Sequence, residues 1–278
     1  MKRRMTLEEV QSVNLDIMKE IHLFCDKNNI RYSLAYGTLI GAVRHGGFIP
    51  WDDDIDIMMP RPDFERFSRS FRSQEGYILS SVYDKDTYVN YTRVYDNRTT
   101  VRGTAKASRK PVGVWVDVFP IDAVSDDTEE RRDQFERLRH YTSRIMQFRR
   151  ILCNICFRNI KYKILGCLQM VKLFIENGGI PISKWHDQVI AICREHTFGE
   201  TEHCSSLVCV EANLHDKQEI FLTSDFQDYQ LASFEDSHFY IIKAYDRVLT
   251  TVFGDYMQIP SQEKRVSHVL KNWVFQWK

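Results

Sequence analysis

No stretch of the 278-residue sequence approaches the roughly 20 consecutive apolar residues of a membrane-spanning helix, which argues against an integral helical membrane protein. The first residues, Met1 to Glu9, are basic and then turn acidic at Glu8 and Glu9, where a secretory leader needs an apolar stretch, so no leader is expected. An excess of one charge is also lacking: 38 basic residues face 38 acidic ones, and no overall field marks a nucleic-acid binder. The seven cysteines are odd in number and scattered, unlike a disulfide framework. Cys153-x-x-Cys156 has no second pair to complete a zinc site, so reduced thiols are expected. Internal repeats and low-complexity segments are absent. These absences predict a cytoplasmic protein without a nucleic-acid partner.

What is present predicts a folded α/β chain. Hydrophobic residues make up 43% and aromatic residues 13%, enough for a sizeable core. Thr6 and Glu9 form a capping box, and Leu7, Val10, Ile17, Ile21 and Phe24 follow near helical spacing. Residues 31–36 read as a strand, Gly37 as a turn, and 38–44 as a short helix ended by His45-Gly46-Gly47. A strand over 55–59 and a helix over 62–71 follow. Residues 77–83, 89–95 and 112–119 carry the β-branched and aromatic density of strands. From 125 to about 197 the composition turns helical, and a last helix over 245–252 stops at Gly254. The expected organisation is a mixed α/β core over 1–124, a mostly helical region over 125–225 and a C-terminal segment over 226–278 that packs back on the core.

The run Trp51-Asp52-Asp53-Asp54-Ile55-Asp56-Ile57 is the strongest candidate site. In a strand, alternate side chains share a face, so Asp54 and Asp56 are expected on one side, with carboxylates within about 7 Å, and Ile55 and Ile57 in the core. Asp117 is an isolated acid inside the apolar strand Val114-Trp115-Val116-Asp117-Val118-Phe119, expensive there unless paired or metal-bound. Like charges this close call for a proton or a cation, and an oxygen-only ligand set favours Mg²⁺ or Mn²⁺. Gly37 and Thr38 offer backbone amides and a hydroxyl at a helix start, where phosphate could sit. A solvated acidic turn would not need the alternating isoleucines. An EF-hand is excluded because Ile57 stands at its glycine and Asp63 at its bidentate glutamate.

Tyr36-Gly37-Thr38-Leu39-Ile40-Gly41-Ala42-Val43-Arg44-His45 running into Ile49-Pro50-Trp51-Asp52-Asp53-Asp54-Ile55-Asp56 resembles the LicD family of the nucleotidyltransferase-like fold, which includes phosphocholine transferases and is related to fukutin-related proteins. The resemblance continues at Trp115 to Pro120, Phe234-Glu235, Tyr245-Asp246, Gly254 to Met257, Pro260 and Glu263 to His268; residues 125–225 match little. It implies a nucleotidyltransferase-like mixed sheet flanked by helices. It also implies transfer of a phospho-substituent, phosphocholine or similar, from a CDP-linked donor to a sugar hydroxyl of a cell-surface glycan or its precursor. Asp54, Asp56 and Asp117 would then be catalytic and metal-binding, with Asp52 and Asp53 in support. The alternative is a nucleotidyltransferase that moves an NMP and releases pyrophosphate. A scaffold of the same fold would not need so costly a cluster of acids.

Cations near these acids are candidates for donor phosphates: Arg44, with His45 beside it, and Arg93 in the strand Tyr91 to Tyr95. Arg44 could equally pair with Asp52 or Asp53. Lys106, Arg109 and Lys110 form a basic loop, and Lys264, Arg265 and His268 are raised above background by the resemblance alone. Between Ile145 and Ile175 stand Arg149, Arg150, Arg158, Lys161, Lys163 and Lys172, no acid, and many apolar residues. Such a stretch suits either peripheral contact with an anionic membrane or core helices with snorkelling basic side chains.

Overall fold

The computed structural model describes residues 3–84, 89–103, 112–157, 160–179, 181–209, 219–265, 267 and 273–278. Its elements are α1 (Leu7–Lys27), β1 (Ser33–Leu34), α2 (Tyr36–His45), β2 (Ile55–Pro60), α3 (Arg61–Ser70), β3 (Ile78–Ser80), β4 (Thr92–Tyr95), β5 (Thr99–Gly103), β6 (Trp115–Ala123), α4 (Thr128–Phe157), α5 (Ile160–Glu176), α6 (Ile182–Ile192), β7 (His203–Ser205), β8 (Phe221–Leu222), β9 (Tyr229–Phe234), β10 (Ser237–Ile242), α7 (Tyr245–Phe253) and β11 (Trp273–Trp277). The fold is α/β with a mixed sheet.

The central path of that sheet is β1-β2-β6-β4-β3, extended by β7 and β8 beside the end of β6. β2 and β6 run parallel, with Asp56 opposite Asp117. β4 is antiparallel to β6 and sets Arg93 opposite the same Asp117. Three charged residues therefore lie in one row across three neighbouring strands. Parallel strands need a crossover, and here α3, β3, β4 and β5 supply it. β6 is buried along its whole length, as a central strand covered on both faces must be.

α1 starts at the expected capping box, in which Thr6 and Glu9 satisfy each other's backbone amides. Its buried stripe is Val10, Val13, Asn14, Ile17, Met18, Ile21 and Cys25, which lies against the sheet. α2 begins two residues earlier than expected and takes in Gly37, so Gly37 is helical and not a turn. The start is made by Tyr36, whose φ of 48° is strained for a side chain with a Cβ. Gly46 ends α2 in the left-handed conformation that glycine adopts without cost.

The main core joins α1, the sheet, the β9–β10 hairpin and α7. A second cluster, including Phe135, Leu138, Ile145, Leu173, Trp185 and Val189, packs α4, α5 and α6 together. Chain segments from the C-terminal end return to the first: β11 pairs with β5, and Ser33 Oγ accepts the Ile242 amide at 3.0 Å. The expected strand over 77–83 is reduced to β3, because Ser81 and Asp84 close a turn at 2.9 Å. The side chains of Cys153 and Cys156 lie outside the described residues, as does the basic loop of Lys106, Arg109 and Lys110. Among the described residues, no helix is long and apolar enough to cross a membrane.

Candidate active site

The acidic run leads into β2 and is held from behind by α1. Gln11 Nε2 donates to the Asp52 carbonyl at 2.7 Å, and Asn14 Nδ2 donates to the Asp53 carbonyl at 2.9 Å. Asn14 is fully buried, so its amide is spent on fixing this loop. Sequence reasoning missed both residues. The signal was there: Asn14 occupies a core position four residues after Val10, where a polar side chain needs a dedicated partner.

β2 begins at Ile55, so Asp54 lies just before the strand; Asp54 and Asp56 are half-exposed while Ile55 and Ile57 are buried, in the alternation expected. Among the described residues, the carboxylates with oxygens within 4.8 Å of one another are Asp52, Asp53 and Asp54. Asp53 is buried and the other two are half-exposed. Asp56 stands beside them, and Asp117 adjoins Asp56 across the β2–β6 pairing. Burial, followed by the charges of Asp54, Asp117 and Asp52, pushes the Asp56 carboxyl well above the usual carboxylate range, and the Arg93 charge opposes this. Such a setting favours a proton or a cation at Asp56.

Asp117 is paired. Arg93 Nε donates to its Oδ1 at 2.5 Å and Nη2 to its Oδ2 at 3.3 Å, both side chains being buried. The same Nη2 donates to the Tyr91 hydroxyl at 2.8 Å, and the guanidinium lies 4.6 Å over the Trp115 ring and 5.2 Å over Tyr91. Burial works against the Arg93 charge, but Asp117 more than offsets it and holds the group cationic. Arg93, expected at donor phosphates, is thus engaged by the third acid.

Gly37 and Thr38 sit at the acids, in roles other than those expected. A Cβ at Gly37 would lie 2.7 Å from Asp52 Oδ2, so the absent side chain lets that carboxylate rest on the first turn of α2. A negative charge at this end of a helix is favourable. Thr38 is buried, and its hydroxyl oxygen accepts the Asp56 amide at 2.9 Å. It registers β2 against α2 and keeps its own O–H to donate.

Arg44 and His45 are not brought to the acids. They lie seven and eight residues along α2 from Gly37, about 11 Å at 1.5 Å per residue. Arg44 Nη1 donates to the Tyr256 carbonyl at 2.6 Å and Nε donates to His45 Nε2 at 3.0 Å. Tyr256 in turn donates to Asp246 at 2.6 Å. Arg44 therefore ties α2 to the segment after α7 and pairs with neither Asp52 nor Asp53 in any described ion pair. Glu235, at the turn of the β9–β10 hairpin, accepts the Phe48 amide at 2.8 Å and shapes the loop that leads to Trp51. Arg265 lies 4.7 Å over the Trp51 ring, beside the acidic run. Lys264 is exposed, and His268 lies outside the described residues.

A family model described as LicD/FKTN/FKRP, nucleotidyltransferase domain, matches residues 29–163, from just before β1 through the acids, β6 and α4 into the start of α5. Over 273 residues the chain is 28% identical to the lipopolysaccharide cholinephosphotransferase LicD of Haemophilus influenzae, spanning 96% of this chain and 97% of that protein. It is 32% identical over 68 residues to the ribitol 5-phosphate transferase FKRP of Homo sapiens, which is 23% of this chain and 14% of that one. An uncharacterized protein of Rickettsia typhi shares 42% identity over 81 residues, 28% of this chain. With the family domain placed over the acidic loop, β2, β4 and β6, and a relative matched nearly end to end, the chain is similar to the LicD family across its acidic site.

Proposed function

We propose that the chain is a metal-dependent transferase that moves a phospho-substituent, phosphocholine or a similar group, from a CDP-activated donor to a sugar hydroxyl of a glycan. The observation that carries this reading is the gathering of carboxylates around Asp56, where burial and the charges of Asp54, Asp117 and Asp52 favour a proton or a cation. All the donors are oxygen atoms, a set that suits Mg²⁺ or Mn²⁺. Asp52, Asp54 and Asp56 would hold the ion, with Asp53 buried behind them and Asp117 next to Asp56. Once bound, the ion supplies neutralisation of charge developing on the donor diphosphate.

The chain's own residues do the rest. α1 fixes the acidic loop through Gln11 and Asn14, and Thr38 fixes Asp56. Asp117, held in orientation by Arg93, accepts the proton of the attacking hydroxyl as its oxygen bonds to phosphorus and CMP leaves. The likeness to a cholinephosphotransferase along nearly the full length supports transfer of a substituted phosphate. The nucleotidyltransferase description of the matched domain favours the second reading, in which an NMP is moved. Parallel incubations with CDP-linked donors and with nucleoside triphosphates, each with Mg²⁺ and a glycan acceptor, separate the two: CMP released from a CDP-linked donor supports the first, pyrophosphate released from a triphosphate the second. Asp54→Ala turning over at the wild-type rate sinks both.

The proposed place of action is the cytoplasmic side of a membrane that carries the glycan precursor. α5 exposes Ile160, Leu168 and Ile175 at 73, 64 and 68% among Lys161, Lys163 and Lys172, a composition that fits anionic lipid better than it fits core packing. Co-sedimentation with anionic but not neutral vesicles is expected; no binding to either removes the membrane from the account.

A further inference from the structure

A cavity of about 1000 Å³ opens between α4 and the sheet edge beside β4 and β6. Its helical wall carries Arg139, Arg144, Arg149 and Arg150, and among the described residues that line it there is no aspartate or glutamate. Among the described residues, Arg139, Arg144 and Arg150 form no ion pair. The opposite wall includes Asn90, Tyr91 and Phe119. That wall touches the machinery already described. The Tyr91 hydroxyl holds Arg93, and Phe119 lies two residues beyond Asp117 on the same face of β6, its ring 4.6 Å from that of Tyr91. Asn90 adds an independent sign of a ligand: its buried carbonyl oxygen has no hydrogen-bond donor among the described residues.

We infer that this cavity is a binding subsite for a diphosphate ester, with the α4 arginines taking the phosphate oxygens and the Asn90 carbonyl accepting a hydroxyl or amino group of the same molecule. The inference rests on the phosphotransferase reading and names the substrate part that lies beyond the acids. Guanidinium forks match phosphate oxygens in geometry as well as charge, and arginines lining one space with no carboxylate among its described lining residues favour a multiply charged anion. Two molecules of the proposed reaction carry this chemistry: the nucleoside diphosphate of the donor, and a diphosphate that links an acceptor glycan to its lipid. The cavity is lined by Tyr91, which bonds the Arg93 that holds Asp117, and by Phe119, two residues beyond that acid, so either occupant would lie beside the reacting centre.

The test is calorimetric titration of the full chain, in the presence of a chelator, with inorganic pyrophosphate, CDP and farnesyl diphosphate. It compares wild type, the double variant Arg144→Gln/Arg150→Gln, and Asp54→Asn. Both arginines are on the helix surface, and an unchanged melting temperature verifies the fold of the double variant. Wild type is expected to bind pyrophosphate without metal, the double variant at least tenfold more weakly, and Asp54→Asn within about twofold of wild type. A tenfold loss confined to CDP assigns the donor, and one confined to farnesyl diphosphate assigns the lipid-linked acceptor. Unaltered affinity of the double variant for all three ligands, or no binding by wild type, overturns the inference. Arginine-dependent binding without turnover of any CDP-linked donor would remove the proposed function and leave the subsite; turnover indifferent to the arginines would do the reverse.

Discussion

Replacing Arg93 by Met keeps the length and apolar body of the side chain but removes the charge that faces Asp117. In the folded protein Asp117 is buried, pinned by both guanidinium nitrogens and adjacent to Asp56 across the β2–β6 pairing. Breaking such a pair from one side leaves an uncompensated carboxylate, which costs about 3–5 kcal/mol. The loss also includes stacking on Trp115 and Tyr91, on the order of 1 kcal/mol. For a chain of this size each kcal/mol moves the melting temperature by roughly 2–4 °C, so a fall of roughly 8–24 °C is expected. Urea unfolding of the cycle Arg93→Met, Asp117→Asn and the double variant isolates the coupling, expected at about 2 kcal/mol or more. The double variant should be more stable than Arg93→Met alone, because the neutral amide no longer needs a cation. A loss below about 1 kcal/mol in Arg93→Met, or additive single effects, would refute the claim that the guanidinium is the counter-charge of the cluster.

Gly37→Ala is expected to separate stability from function: alanine favours the helix by up to about 1 kcal/mol, while its Cβ displaces the Asp52 carboxylate, so the melting temperature holds or rises as Mg²⁺ affinity and turnover fall. Thr38→Val leaves the Asp56 amide without its acceptor and should cost about 1–3 kcal/mol in chemical denaturation, with a larger loss of turnover. His186, buried with neither ring nitrogen hydrogen-bonded among the described residues, has its pKa lowered from 6.5 to about 4, chiefly by burial and next by Arg149. Its folded pKa is depressed, so the unfolded chain binds the proton first; this contribution to stability is complete above pH 6.5 and is lost as pH falls towards 4, on the order of 3 kcal/mol in all. His186→Phe should flatten that part of the stability–pH profile, and an unchanged slope would assign the dependence elsewhere.

Local signals with a strict geometry were legible in the sequence. The capping box of α1, the left-handed stop at Gly46, the strand through Ile55 and the helix ended by Gly254 each follow from a residue pattern with one structural solution. The acidic run and Asp117 were legible as a cluster because a carboxylate inside an apolar strand must be paired, metal-bound or protonated. Their partners were not. Arg93 opposite Asp117 is a fact of strand register across a crossover, which no local window contains. Proximity in sequence also misled. Arg44 stands eight residues before Asp52, yet the length of α2 carries it away to the Tyr256 carbonyl, while Asn14, 39 residues before Asp53, touches the loop. Thr38 was read from its place after Gly37, and its contact with the Asp56 amide, 18 residues on, lay outside that local view. The β9–β10 hairpin and the β5–β11 pair were missed altogether, because half-exposed strands such as Tyr229–Phe234 lack a continuous apolar run.

The most direct test of the whole account is product analysis after incubation of the protein with CDP-choline and related CDP-linked donors, a glycan acceptor, and Mg²⁺ or a chelator. Release of CMP that requires the metal and disappears in Asp54→Ala is the predicted result; metal-independent turnover, or full activity of that variant, would contradict it.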